Sequence, residues 1–417
     1  MQFKKEAFIN TFSLAIFLLS IFILLFFPKT ITFASTTAGC GEYWGGNWTI
    51  PANTYCGVLN EVIAVSKHLV LQPGSTLELN GTTNLIFGFK YRIPITISNP
   101  GAALTNYTIN VTLDTASLIS AGKMRNDCGD IRFGDADLNG YPYWIEEGTC
   151  NTANTRIWVK LTTIPAGSKP IYIFYGNPTA TSISNGNKVF LFFDDFSTAD
   201  NSKFTYGSSY CGYNPLSYSV SNGKLTVWSD GASWRILSQK AYNVTTVENV
   251  TVVTKFNASA SSSWNQSVFV QLDNCNQNRY GWVNASGGWV IQMKDGTGYT
   301  YSSVIARPNY NTWYIDEIRR NSTGCFKGKI YNSSWSLLGS HEVCKSVWSG
   351  VTWTWVTWQY QTTQVQFDWL FIRKVTPIES LEPTATVGTE ESNLPQYIYI
   401  YSGGKLYIYP PAGINKP

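Results

Sequence analysis

The stretch 135-DADLNGYPYWIE-146 decides between two folds. It satisfies the calcium-loop pattern D-x-[DN]-x-[DN]-G-x5-E, with Asp135, Asp137 and Asn139 as oxygen donors, Gly140 at the sharp turn and Glu146 as the bidentate carboxylate. A loop of that kind needs a helix on each side. Here the flanks, 130-DIRF-133 and 143-YWIEE-147, carry aromatic and β-branched residues at strand-like spacing. Pro142 also stands where the loop needs a paired backbone N–H. The favoured reading is therefore strand, turn, strand. Side chains alternate across a strand, so Trp144 and Glu146 share one face while Tyr143 and Ile145 share the other. Glu146 then projects from a strand instead of folding over an ion. A weak, helix-free calcium site on Asp135, Asp137 and Asn139, with Glu146, is the competing use of the same residues.

Around this stretch, 91-YRIPITISNPGAALTNYTINVTLD-114 reads as two alternating strands about an Asn-Pro-Gly turn. The runs 156-RIWVKLTTIP-165 and 170-PIYIFYGNP-178 read as two more. The succession YRIPITI, DIRFGDAD, YPYWIE, RIWVKL and IYIFYGNP resembles an exported family known as domain of unknown function 2341, found in archaeal and bacterial surface proteins. The resemblance covers residues 90–188. It implies a β-sandwich outside the cell and carries over no catalytic residues.

From residue 189 the pattern changes. Between 190-FLFFDDFS-197 and 365-VQFDWLFIRKV-375 lie many strand-like runs. These two framing segments resemble the first and last strands of concanavalin-like or laminin-G-like jelly rolls, which lie together in one sheet. Simple alternation puts Val365, Phe367, Trp369 and Phe371 on one face of the last strand, with Gln366, Asp368, Leu370 and Ile372 on the other. In 351-VTWTWVTWQY-360, Trp353 and Trp355 share a face. Core packing and a sugar-stacking platform are the two uses open to them.

The fold class is all-β: a β-sandwich plus a concanavalin-like jelly roll, preceded by an N-terminal signal or anchor helix. Residues 1–34 form that leader, 35–89 a small β-segment with solenoid-like rungs, 90–188 the first sandwich and 189–376 the jelly roll. The acidic stretch 377–396 reads as a linker, and 397–417 as a tail whose 397-YIYIYSGGKLYIY-409 forms a hairpin. An isolated hairpin is marginal in water, so it needs a partner: its own chain, another copy or the cell surface.

The leader follows from Lys4 and Lys5 ahead of an apolar run from Ala7 to Phe27, with small residues at Ala34 that suit cleavage. The run is also long enough to span a bilayer, so cleavage and retention as an anchor are both open. Eight cysteines agree with export. Their order suggests the local pairs Cys40–Cys56, Cys128–Cys150, Cys211–Cys275 and Cys325–Cys344, although eight cysteines allow on the order of a hundred pairings. Candidate N-glycosylation acceptors are Asn47, Asn80, Asn106, Asn110, Asn243, Asn249, Asn257, Asn265, Asn284, Asn321 and Asn332. Net charge is only +4 and unclustered, which removes nucleic acid as an expected partner.

Catalytic signatures are missing. Jelly-roll glycoside hydrolases place acid and nucleophile at alternate positions of one strand, whereas the nearest pairs here, Asp194-Asp195 and Asp316-Glu317, are adjacent and face opposite ways. There is no G-x-S-x-G elbow, P-loop or H-E-x-x-H. The expectation is a non-catalytic, exported cell-surface protein without a cofactor, binding glycans or other surface ligands. A structural envelope or filament subunit, self-associating through 397–409, is the alternative; a glycoside hydrolase is the second.

Overall fold

The computed structural model describes residues 89–392, apart from 136–139, 179, 211, 230–234, 239–248, 259–265, 273–277, 286–287, 296–297, 308, 321–324, 346–352 and 360–363. Outside that range it describes the backbone of short strands between residues 30 and 87 and of 398–402 and 405–409. The leader run Ala7–Phe27 lies outside the described residues, as do residues 34–47 that follow it. Among the described residues no helix is long and apolar enough to cross a membrane.

The early strands pair in parallel at short sequence steps. Trp48 is opposite Leu69, Val62 opposite Asn84, and Tyr55 opposite Thr76, steps of 21, 22 and 21 residues. Such stacking of one rung on the next is the solenoid-like arrangement expected of this segment. Thr30–Phe33, assigned from sequence to the leader, pairs as a strand with Thr54–Leu59. The C-terminal strands Ile398–Ser402 and Lys405–Tyr409 form the expected hairpin, and the first lies beside Asn84–Phe87 of its own chain.

The first sandwich has two sheets. Its outer sheet runs Gly140–Tyr141, Arg132–Gly134, Gly167–Tyr175, Tyr91–Asn99, Thr384–Val387; its inner sheet runs Tyr143–Ile145, Thr155–Ile164, Leu104–Leu113. Period-two alternation builds the core between them, with Ile93, Ile95 and Ile97 meeting Ile109, Val111, Ile157 and Val159. Asn99 holds the first turn, donating from Nδ2 to the Ala102 and Pro165 carbonyls while its Oδ1 accepts from Gly101 N–H. The Cys128–Cys150 disulfide is formed.

Residues 377–392, expected as part of a linker, pack as structure. Thr384–Val387 pairs antiparallel with Tyr91–Asn99, Glu391 is opposite Arg92, and Ala385 and Val387 pack against the core. The chain leaves the first sandwich, builds the second, and returns to finish the first at its edge. Its acidity is matched by buried or half-buried bases: Glu390 with Lys123, Glu391 with Arg92, Glu379 with Lys327 and Lys329, and Glu382 with Arg319 and Arg373.

The second unit is a jelly-roll-like sandwich. One sheet, which faces the first sandwich, runs Ser217–Ser221, Lys224–Trp228, Gln364–Lys374, Val250–Ala258, Trp313–Arg320, Cys325–Asn332, Leu337–Cys344, and Phe192–Asp194 pairs with Gln364–Lys374 as the framing segments led one to expect. The far sheet runs Asn214–Pro215, Arg235–Ser238, Trp353–Gln359, Gln266–Leu272, Asn278–Ala285, Gly288–Asp295, Tyr299–Tyr301. The Cys325–Cys344 disulfide joins directly opposed positions of neighbouring strands.

The expected alternation of the last strand fails at its centre. Lys255 is opposite Trp369 but Phe256 is opposite Phe367, so Asp368 is an extra residue, a β-bulge. Val365 and Phe367 face the core between the sheets; after the bulge Leu370 and Ile372 take over that role. Trp369 and Phe371 turn outward, towards the first sandwich. Asp368 itself pairs with Lys255 at 2.7 Å and Lys224 at 3.0 Å.

Candidate functional site

Trp144 does face away from the core that holds Tyr143 and Ile145, and its face is the junction of the two sandwiches. There its ring meets Phe193 at 5.0 Å, Phe190 at 5.7 Å and Trp369 at 5.8 Å, edge to face. Glu146 shares that face. It is 1% exposed, accepts from Trp335 Nε1 at 3.0 Å, and has Arg156 Nε at 3.9 Å. Burial pushes its carboxyl up to about 7, against the opposing pull of Arg156 and Lys255. Glu146 is thus part of the junction, its carboxylate turned to Trp335 and Arg156. Asp135 lies instead beside Tyr141, whose hydroxyl is pushed up to about 12 by burial and that carboxylate. Asp137 and Asn139 lie outside the described residues, and no cluster of three metal-ligating side chains occurs among the described ones.

At the other end of the junction, Glu382 gathers donors from both sandwiches. Tyr107 Oη donates at 2.7 Å, Thr376 N–H at 2.7 Å, Arg319 at 3.0 Å, Thr376 Oγ1 at 3.0 Å and Arg373 at 3.3 Å. Burial alone would raise this carboxyl; Arg373, Tyr107, Thr376 and Arg319 together outweigh it and hold it at about 2.

The other sites expected from sequence divide as follows. Trp355 is fully buried against Phe204 and Phe367, so it packs the core and offers no sugar platform. The Trp353 side chain lies outside the described residues. Asn110 is a poor glycosylation acceptor because its Nδ2, the atom that would carry the sugar, is buried. Asn106 is exposed at a left-handed position, φ 49°, within the strand Leu104–Leu113, and Asn332 is half-buried with its Oδ1 accepting from Ser334 and Ser336 N–H. Asn249, just before the strand Val250–Ala258, and Asn257, within it, are half-buried. The side chains of Asn47, Asn80, Asn243, Asn265, Asn284 and Asn321 lie outside the described residues, as do the pairs Cys40–Cys56 and Cys211–Cys275.

An accessible aromatic surface does exist, on the outer face of the far sheet. Ile291 and Met293 point into the core, so Gln292 and Lys294 point out. The register sets Gln292 opposite Tyr301 and Lys294 opposite Tyr299. The two tyrosines are 40% and 51% exposed and stack at 6.5 Å, only 18° from parallel. Lys294 Nζ lies 5.4 Å from the Tyr299 ring centre, and Gln292 Nε2 donates to Tyr301 Oη at 2.9 Å. The period-two spacing of 299-YTY-301 is the sequence signal for this pair, and it does not stand out among 25 Tyr and 16 Trp.

A family model described as a domain of unknown function (DUF2341) matches residues 127–207. An uncharacterized protein of Methanocaldococcus jannaschii is 23% identical over 267 residues, covering 60% of this chain and 45% of that protein. The chain therefore spans less than half the length of this relative. Among solved structures, a protein of unknown function from Shewanella oneidensis aligns over 45% of this chain and 87% of its own, at 15% identity and a TM-score of 0.35. The carbohydrate-binding module CBM66 of Bacillus subtilis aligns over 41% and 97%, at 12% identity and a TM-score of 0.31. With scores at that level, function rests on the residues themselves.

Proposed function

We propose that the chain is an exported, non-catalytic surface protein whose second sandwich binds a glycan on the outer face of its far sheet. The observation that carries this reading is the exposed, near-parallel Tyr299–Tyr301 pair with the Lys294 ammonium beside it. Flat rings take the apolar face of a sugar, Lys294 supplies a polar contact that fixes its orientation, and the buried Gln292 amide holds the Tyr301 hydroxyl in place. Two formed disulfides favour an oxidising compartment.

The carboxylate pairs support a non-catalytic role. Asp316 faces the core between the sheets and is fully buried, while Glu317 on the opposite face accepts from Tyr331 Oη at 2.8 Å. Asp194 is 3% exposed and held by Lys203 at 3.2 Å. Neither pair presents two carboxylates to one accessible site, as glycoside hydrolysis requires.

The test is a glycan array probed with clustered protein, since single-site affinity is expected in the roughly millimolar to micromolar range. Tyr299→Ala and Tyr301→Ala should each abolish retention with an unchanged melting temperature. Retention that survives both substitutions, or release of new reducing ends from a retained glycan, would overturn the reading.

A further inference from the structure

Between the sandwiches lies a cleft of about 590 Å³ that the glycan reading does not use. Its floor is the outer face of the inner sheet at Asn110 and Trp158, which are cross-strand partners. One wall is Arg373, from the last strand of the second sandwich, and another is the returning segment from Glu382 to Val387. The volume suits a ligand of monosaccharide to disaccharide size.

Three nitrogens of this lining are buried without a hydrogen-bond partner: Asn110 Nδ2, Trp158 Nε1 and Arg373 Nε. All three are donors, and an indole or guanidinium nitrogen has no acceptor role. A buried donor left unmatched is costly, so three along one cleft mark a place where an acceptor would be stabilising. The neighbouring bonds fix their orientation. Asn110 Oδ1 is occupied by Arg156 at 2.7 Å, which leaves the amide N–H₂ side spare. The Arg373 guanidinium lies over the Trp158 ring at 5.5 Å, with one terminal nitrogen committed to Glu382.

Among the lining residues Arg373 and Glu382 are charged and paired with each other, and Arg319 and Glu317 also act on that pair. The two oxygens of a carboxylate offer about four acceptor sites, enough for all three donors. We propose that this cleft is a second binding site, for a carboxylate-bearing ligand whose oxygens accept from Asn110 Nδ2, Trp158 Nε1 and Arg373 Nε. The nitrogens are covered by neighbouring atoms, so the acceptor reaches them after a small displacement of Arg373, whose side chain is 13% exposed.

Titration calorimetry of the full chain with glucuronate, acetate and glucose tests the site. Glucuronate should bind, and glucose at least about tenfold more weakly, because a charge-assisted hydrogen bond is worth roughly that factor. Acetate matching glucuronate would assign the site to small carboxylates in general; glucuronate alone would assign it to the acidic unit of a glycan. Either result supports the carboxylate site. Trp158→Phe keeps a ring but removes the indole N–H, and Asn110→Asp keeps the acceptor for Arg156 but replaces the donor with a negative charge. Each should weaken glucuronate about tenfold or more with the melting temperature preserved. Tyr299→Ala should leave it unchanged, so failure here is separable from failure of the glycan surface. Equal binding of glucose and glucuronate, no binding of either carboxylate, or full binding by both folded variants would overturn the proposal.

Discussion

Glu146 and Glu382 sit in two corners of the same junction and end in opposite states. Glu146 is enclosed by rings: its one close donor is the Trp335 indole, and Arg156 stands off at 3.9 Å while also serving Asn110. Its carboxyl is held near 7. Glu382 is half-buried, its side chain 21% exposed, and two guanidiniums, a phenol, a hydroxyl and a backbone N–H converge on it, so it is held at about 2. Desolvation raises both carboxyls, Glu146 being the more deeply buried. The number of donors placed against the charge decides the outcome, as expected where desolvation costs several kcal/mol and only close partners offset it. The aromatic corner supplies area, and the ionic corner supplies alignment.

The sharpest way to break the comparison is to remove the centre of the aromatic corner. Trp144→Ala leaves a void among Phe190, Phe193, Trp369 and Phe371 and should cost roughly 4–5 kcal/mol. Urea unfolding should shift from one transition to two as the sandwiches uncouple. A single transition with a loss below about 1 kcal/mol would mean that the ionic corner alone holds the units together.

Glu382→Gln tests the other corner. Arg319 and Arg373 would then face each other without their counter-charge, a loss of about 3–4 kcal/mol near neutral pH. The pH dependence has a definite sign. A carboxyl lowered from 4.5 to about 2 contributes stability that is complete above 4.5 and is lost as pH falls towards 2. Melting temperatures between about pH 2 and 5 should fall steeply in the parent and less steeply in the variant. Parallel acid profiles would remove Glu382 from the account.

The legibility of this junction from sequence was uneven for physical reasons. Period-two spacing alone placed Trp144 and Glu146 together, on the face opposite Tyr143 and Ile145, because it needs no knowledge of partners. The same rule misplaced Trp369 and Phe371: one extra residue at Asp368 reverses every later side chain, and a bulge leaves no mark in a run apolar on both faces. Composition made 377–396 a linker, since its glutamates look solvated until Lys123, Arg92, Lys327 and Arg373 are brought to them from distant strands. Trp355 was ambiguous for a similar reason, as ring content does not distinguish a core from a platform. The cleft donors could not be found at all, because their significance is that nothing pairs with them.

Glu146→Gln should have the smallest effect and the most diagnostic sign. Glutamine keeps an oxygen to accept from Trp335 Nε1 but cannot ionise. In the parent, the carboxyl rises from an ordinary 4.5 to about 7, so the folded state holds the proton more tightly than the unfolded chain. That contribution is complete below about 4.5 and is lost as pH rises through 7, the reverse of Glu382 and in a separate window. Between about pH 5.5 and 8 the loss should be on the order of 2 kcal/mol, from the linkage relation. Arg156, Lys255 and Asp368 also face this group, and their charges remain in the variant. The expected result is that the variant matches the parent below about pH 4.5, and that its advantage widens by on the order of 2 kcal/mol between pH 5.5 and 8. If the two stability curves instead stay parallel across that range, Glu146 is already ionised at pH 5.5, and counting donors no longer explains why the two corners differ.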